Sequence, residues 1–493
     1  MIKKQLLPFL LFICCGLNAS ANFNFNNNCS EAYKAIFSFK LGEAKALIQK
    51  EKQLNPQNGL TILLDNYVDY FSLLASESKT DYDRLKEKRS MRVSALEENE
   101  KDSPYYLFSQ AEVYLQWGLI KGKFGDYFSS SMDIKKAHSL LVENEEKYPG
   151  FLPDQKSLAL INVIFGSVPA NLKGVTRLLG MKGNVQSGIK VLEELRTALP
   201  KTRYSYYTDE VTFFLCNIDV DILHNKNNYT KLIGWLQEMQ NPGLLKAYLL
   251  GYVAAKTAHN DEAIAFFEAA PKSSQYIAVP AISYLLGNAK LNRLDGDAVS
   301  YLFGYIKSYK GQNYIKDTYL KLAYYYLLQN DVKKYEYYLT LVRSRGYLTD
   351  EKDQQALREA NDAKPDTDLL KARFFFDGGY YARALAMIKN KDINNLNLQR
   401  DKIELYYRLG RIYEKTDKTP DALTNYQYAI NLGKTARYYF AANAAVRMGN
   451  LFEQKKDFKK AASYYNKALD MKDHEYKSSI DNEAKEGLKR VNQ

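Results

Sequence analysis

Hydrophobic positions along this chain recur at helical spacing from near its start to near its end, and no stretch sustains the alternation of a strand. Ala32 to Asn55 keeps the 3.6-residue rhythm and closes at Asn55-Pro56. Tyr105 to Lys121 and Asp133 to Tyr148 form a further helical pair, closed by Pro149, with Ala137 and Leu141 on the packed face of the second helix. Asn22 to Asn28 is asparagine-rich, has no such rhythm and reads as disordered. Asn361 to Thr367, which contains Pro365, reads as a joint between two helical blocks.

The C-terminal part repeats itself. Tyr406, Leu409, Gly410 and Tyr413 are followed by Ala422, Tyr426 and Ala429. Met448, Gly449 and Phe452 are followed by Ala461, Tyr465 and Ala468, with Gly410 to Gly449 and Tyr426 to Tyr465 each 39 residues apart. Two antiparallel helices pack closely only where one face is small. Gly410 and Ala422 permit that approach, Tyr426 fills the space beside it, and Ala429 lets the next unit stack. A single hairpin cannot bury its apolar face, so several are required. Leu250, Gly251, Ala263, Phe267 and Ala270 repeat the same offsets. Leu286, Gly287, Ala298 and Leu302 follow after a one-residue slip, and Leu322, Ala323, Tyr326, Tyr335 and Leu339 make a weaker copy. Gly379, Tyr381, Ala384 and Leu385 match only the turn and second helix.

A small residue in helix A, an aromatic three later, then alanine, aromatic and alanine on helix B resembles the tetratricopeptide repeat (TPR). The resemblance implies an all-α, TPR-like helical-hairpin solenoid, a right-handed superhelix, with irregular helical repeats in the N-terminal half. Five or six units fit between about residues 243 and 470. The usual period is about 34 residues, so the longer spacing predicts that helix A of the last unit starts early, near Thr435. Residues 158–195, with Phe165-Gly166-Ser167-Val168-Pro169, Leu178-Leu179-Gly180-Met181-Lys182-Gly183 and Gly188-Ile189, are similar to the middle of the tetratricopeptide repeat protein 39 family, although Met181 departs from its aromatic. That likeness implies a helical-repeat interaction protein and transfers no catalytic residue.

The first residues predict export. Lys3 and Lys4, an apolar run from Leu6 to Leu17, and Ala19-Ser20-Ala21 read as a secretory signal peptide cleaved after Ala21. The run is shorter than the roughly 20 residues a spanning helix needs. The expected location is the periplasm, cell envelope or extracellular space, with peripheral membrane association left open. The chain then divides into a signal peptide (1–21), a disordered start (22–30) and degenerate helical repeats (31–242). A first TPR array (243–345), a joint (346–367), a second array (368–470) and a capping helix (471–493) complete it. Cys29 and Cys216 are left after cleavage and read as isolated thiols.

Composition adds a basic balance and an abundance of tyrosine. The formal charge of +12 falls to +10 without Lys3 and Lys4, and 41 tyrosines suit large amphipathic surfaces. In an exported chain that charge points away from nucleic acid and toward acidic peptides, glycans or anionic lipid. No phosphate loop, nucleophile elbow or zinc spacing occurs, and Asp219, Asp221 and His224 read as surface polarity rather than ligands. Neither a catalytic residue, a metal nor a cofactor is expected. Counting from the helix-A glycines, the expected exposed groove positions are Tyr407, Arg408, Arg411, Lys415, Arg447 and Asn450. Tyr248, Tyr252, Lys321 and Tyr324 follow by the same count in the earlier units. This basic, aromatic set suits a protein or peptide partner with carboxylates; the alternative is a glycan or an anionic lipid surface.

Overall fold

The computed structural model describes residues 23–168, 180 and 182–492, and every regular element among them is helical. The expected signal peptide lies outside the described residues, as do Pro169, Leu178, Leu179 and Met181 of the stretch similar to the protein 39 family.

The N-terminal region contains α1 (Asn27–Phe37), α2 (Leu41–Leu54), α3 (Leu60–Ser76), α4 (Lys79–Leu85), α5 (Lys88–Glu97) and α6 (Pro104–Lys123). It continues with α7 (Tyr127–Lys147), α8 (Leu152–Ser167), α9 (Val185–Ala198), α10 (Thr208–Asn217), a π-turn at Ile218–Ile222 and α11 (Tyr229–Gln237). The asparagine-rich start is ordered from Phe23 onward, contrary to expectation. The Asn26 side chain caps α1 by accepting the Cys29 N–H, and the Asn26 and Asn28 amides donate to Glu51 on α2 at 2.6 and 2.9 Å. Phe25 supplies the apolar contact, stacking on Tyr206 with centroids 3.9 Å apart. The rhythm from Ala32 to Asn55 is broken at Phe39, whose φ of 64° turns the chain between α1 and α2. Cys29 and Cys216 are free and buried.

A polar cluster sits at the centre of this region. The Lys156 side chain is 1% exposed and lies 3.2 Å from Glu112 and 3.0 Å from Glu210. Tyr33 donates to Glu210 at 2.6 Å and Tyr67 donates to Glu112 at 2.7 Å. These bonds tie α1, α3, α6, α8 and α10 to one point.

The hairpin region follows. It runs through α12 (Leu244–Lys256), α13 (Asn260–Glu268), α14 (Pro280–Arg293), α15 (Ala298–Ser308), α16 (Ile315–Leu328) and α17 (Val332–Ser344). Then come α18 (Glu351–Ala360), α19 (Thr367–Asp377), α20 (Tyr381–Ile388), α21 (Gln399–Lys415), α22 (Thr419–Gly433), α23 (Phe440–Gln454), α24 (Phe458–Asp470) and α25 (Lys477–Val491). Consecutive helices pair as hairpins, and the first helices of successive hairpins touch one another: α12 with α14, α14 with α16, α19 with α21, α21 with α23, and α23 with the final α25. The fold is an all-α helical-hairpin solenoid.

The small residues act as the spacing predicts. A Cβ on Gly410 would stand 2.6 Å from the Tyr426 ring, and one on Gly449 would stand 2.5 Å from the Tyr465 ring. Gly251 meets Phe267 in the same way. The extra residues of the longer period do not lengthen α23, which begins at Phe440 and not near Thr435. They form the turn at 434–439, which Arg437 secures through Asp362 and Glu475.

The segment expected as a joint carries α18, which packs on α16. Asp353 is fully buried there, and its carboxylate accepts the backbone N–H groups of Tyr314 (2.6 Å) and Asp317 (3.0 Å) at the start of α16. The two expected arrays also meet directly, since α19 lies on α14. Gly379, at φ 83°, comes so close to Ala258 that a Cβ would be 2.1 Å from its carbonyl oxygen. The Tyr380 hydroxyl donates to Asp261 at 2.8 Å.

Candidate functional site

Helices α12, α14, α16, α19, α21 and α23 supply one continuous layer, and most of the expected site residues lie on it. Their environments differ from the expectation of a row of exposed side chains. Tyr407 and Arg408 are buried, at 4% and 7% exposure. The Tyr407 hydroxyl donates to Asn443 at 2.9 Å and accepts from Arg411 at 2.9 Å. Arg408 pairs with Glu404 one turn earlier. Tyr324 is buried too, and it donates to Glu359 at 2.6 Å. Arg447 pairs with Glu414, while Asn450 accepts from Tyr465 and donates to Glu483. In a stacked hairpin array the flank of helix A faces the neighbouring helices, so Tyr407, Tyr324, Arg447 and Asn450 bond across to them, while Arg408 is held within its own helix by Glu404.

Arg411 and Lys415 are different. The Arg411 guanidinium lies 5.0 Å from the Phe376 ring, and its Nε has no acceptor. Lys415 has no carboxylate within 4 Å among the described residues. Burial holds its ammonium below the usual lysine range, opposed by Glu414 and reinforced by Arg447 and Arg411.

Lys226, which sequence reasoning missed, faces this group. It stands exposed in the loop after the π-turn, on the border of a cavity. Burial lowers its pKa; Asp377 opposes, and Arg411, Lys415 and Arg447 add to the depression. Lys256 and Lys321 are also depressed, first by burial and then, against Asp221 and Asp317 respectively, by Lys352. A lysine that stays wet while its charge is disfavoured marks the wall of a concavity with excess positive potential. Lys321 is the best compensated, with both Asp317 oxygens at 2.8 Å.

Two cavities open on this wall. One, of about 370 Å³, is bordered by Lys226, Lys256, Lys321 and Lys352, with Asp377 as its only acidic lining residue among the described residues. The other, of about 350 Å³, lies between α3 and α10 on one side and α12, α14 and α15 on the other. Tyr248 and Tyr252 line the second, stacked with centroids 5.5 Å apart. Lys256 and Lys352 border both cavities. The floor of the second is held by Glu77 at the end of α3, which accepts from Lys123 (2.7 Å), Asn313 (2.7 Å) and the Tyr309 hydroxyl. This clasp ties the N-terminal region to the hairpin array across more than 200 residues of sequence.

Residues 442–474, spanning most of α23 and all of α24, match the tetratricopeptide repeat family model. This stretch of the chain is a tetratricopeptide repeat. The matched unit contains Gly449, Ala461, Tyr465 and Ala468, the residues that set the close approach of its two helices. No curated protein matches the chain. Among solved structures, the APC/C hetero-tetramer Cut9-Hcn1 aligns over 94% of this chain and 95% of its own at 12% identity and a TM-score of 0.28. Stacked TPR hairpins form interaction scaffolds with an extended inner surface. No helix among the described residues is long and apolar enough to cross a membrane, and no group of His, Cys, Asp and Glu among them is set to hold a metal.

Proposed function

We propose that this protein is an exported, non-enzymatic TPR scaffold in the cell envelope that holds an acidic segment of a protein partner along its inner layer. The observation that supports the reading is the excess of cations on that wall. Lys226, Lys352, Arg411 and Lys415 make no ion pair within 4 Å among the described residues, while burial and mutual repulsion disfavour the charge on Lys226 and Lys415. An anionic ligand relieves both effects at once. The arrangement extends over several hairpins, which suits an extended chain better than a compact anion. Export rests on the leader-like residues 1–21.

Affinity capture from envelope extract tests this. A protein partner captured by the wild-type chain and lost with Lys226→Glu and Lys415→Glu supports the reading. Binding to isolated polysaccharide or to anionic vesicles, with no protein captured, contradicts it and favours a glycan or lipid ligand.

A further inference from the structure

The cavity closed by the Glu77 clasp differs in character from the lysine-lined one beside it. Its walls mix aromatic and aliphatic side chains from two parts of the chain far apart in sequence, with Phe71 on α3 and Phe213 on α10 across from Tyr248, Val279, Leu285 and Tyr314, and the polar Asn217 and Asp221 beside them. Most of the phenols there are committed. Tyr252 donates to Asp221 at 2.5 Å, Tyr284 to Asp317 at 2.6 Å, Tyr305 to the Asn313 carbonyl at 2.8 Å, and Tyr309 to Glu77. Among the described residues, the hydroxyls of Tyr248 and Tyr314 donate to no protein acceptor and open on the cavity.

At its mouth stands Lys352, over the rings of Tyr284 and Tyr314 at 5.7 and 5.5 Å, with no carboxylate within 4 Å among the described residues. Lys256 borders the same mouth, 3.6 Å from Asp221. A part-apolar chamber is thus bordered by two ammonium groups and two free phenolic donors, with its carboxylates already engaged, Asp221 by Tyr252 and Lys256 and Glu77 by its clasp, and it opens onto a cationic track that leads away through Lys226 toward Arg411 and Lys415.

We propose that this chamber is an anchor subsite for one large apolar side chain, aromatic or long aliphatic, of an extended peptide whose neighbouring carboxylates bind Lys352, Lys256 and the free hydroxyls. The proposal rests on the groove reading above and adds a specificity to it: acidic sequence interrupted by one bulky apolar residue. Charge complementarity selects the occupant. A small amphiphile with one carboxylate would satisfy the rim and leave Lys226, Arg411 and Lys415 uncompensated, whereas an extended acidic chain reaches them. Because α3 and α10 build one wall, the subsite exists only when the N-terminal region is docked on the array.

Fluorescence anisotropy with the full chain and two labelled peptides tests this, one Glu-Asp-Glu-Phe-Glu-Asp-Glu and one with glycine in place of phenylalanine. The phenylalanine peptide is expected to bind roughly 10- to 100-fold tighter, the worth of burying one such side chain. Ala281→Phe and, separately, Ala75→Phe narrow the chamber from opposite walls. Each is expected to abolish the preference and leave the glycine peptide's affinity unchanged, with helix content by circular dichroism confirming that the variant is folded. Equal affinity of the two peptides for the wild-type chain overturns the anchor and leaves the groove. Failure of both peptides to bind overturns the groove reading and the anchor with it. Dodecanoate binding that the two chamber variants abolish, with no advantage for the phenylalanine peptide, overturns the peptide occupant in favour of a small amphiphile.

Discussion

Lys156→Met is expected to destabilise the N-terminal region by about 3–5 kcal/mol at neutral pH, the cost of breaking a buried pair and leaving charge uncompensated. The magnitude follows from the cluster. The ammonium is 1% exposed, and it is shared between Glu112 at 3.2 Å and Glu210 at 3.0 Å, which are 2% and 4% exposed. Water therefore reaches none of the three. The rings of Tyr207, Phe214 and Phe108 lie 5.2 to 5.7 Å from the nitrogen and add to what is lost. Burial holds the Glu210 carboxyl above its usual range, Lys156 opposes that, and Glu112 reinforces it. Without the lysine, the folded state binds protons more strongly than the unfolded chain does. The penalty is then largest above the raised folded-state value and shrinks as pH falls from there toward the unfolded carboxylate value of about 4. Urea unfolding followed by tryptophan fluorescence reads this region selectively, because the two tryptophans, Trp117 and Trp235, both lie in it. With a urea slope of about 3 kcal/mol per M, the midpoint falls by about 1–1.7 M at pH 7 and by less at pH 5. A loss below about 1 kcal/mol, or one that does not change with pH, refutes the view that the cluster carries ionised groups.

Gly410→Val places methyl groups where even a Cβ alone would stand 2.6 Å from the Tyr426 ring, so a loss of about 1–3 kcal/mol from overpacking is expected, read as a lower thermal midpoint by circular dichroism. Although burial opposes it, the Arg373 guanidinium and hydrogen bonds from Tyr324 and Gln355 hold Glu359 down at about 2. Its contribution is full above the unfolded carboxylate value and is lost as pH falls from about 4.5 through 2, so Glu359→Gln should flatten acid unfolding in that window by up to about 3 kcal/mol. Glu77→Ala removes the acceptor shared by Lys123, Tyr309 and Asn313; faster amide exchange in α3 and at 309–314, with α24 unchanged, is the expected result.

The repeats were legible because their signal is local. A glycine, an alanine and an aromatic at fixed offsets are what two helices at close approach require, and Gly410 with Tyr426 and Gly449 with Tyr465 meet as that reasoning demands. Burial of the expected groove residues was half legible. Glu404 with Arg408 and Asp317 with Lys321 are i, i+4 pairs visible in the sequence, whereas Glu414, the partner of Arg447, lies 33 residues away on the preceding unit. The lysine-lined wall was not legible. Lys226 follows a π-turn and Lys352 lies on the helix inserted where a joint was expected, so their meeting depends on how the N-terminal region seats on the array. The start of α1 was misread because asparagine, a poor helix former in isolation, serves there as cap and as ligand to Glu51.

The most direct test of the central claim is hydrogen exchange on the full chain with and without the phenylalanine-containing acidic peptide, at low and at physiological salt. The account predicts protection on α12, α14, α21 and the loop around Lys226, weakened by salt and absent in the Lys226→Glu, Lys415→Glu variant. Protection confined to the outer helices α13, α15, α22 and α24, or a salt-independent pattern that survives the charge reversal, contradicts it.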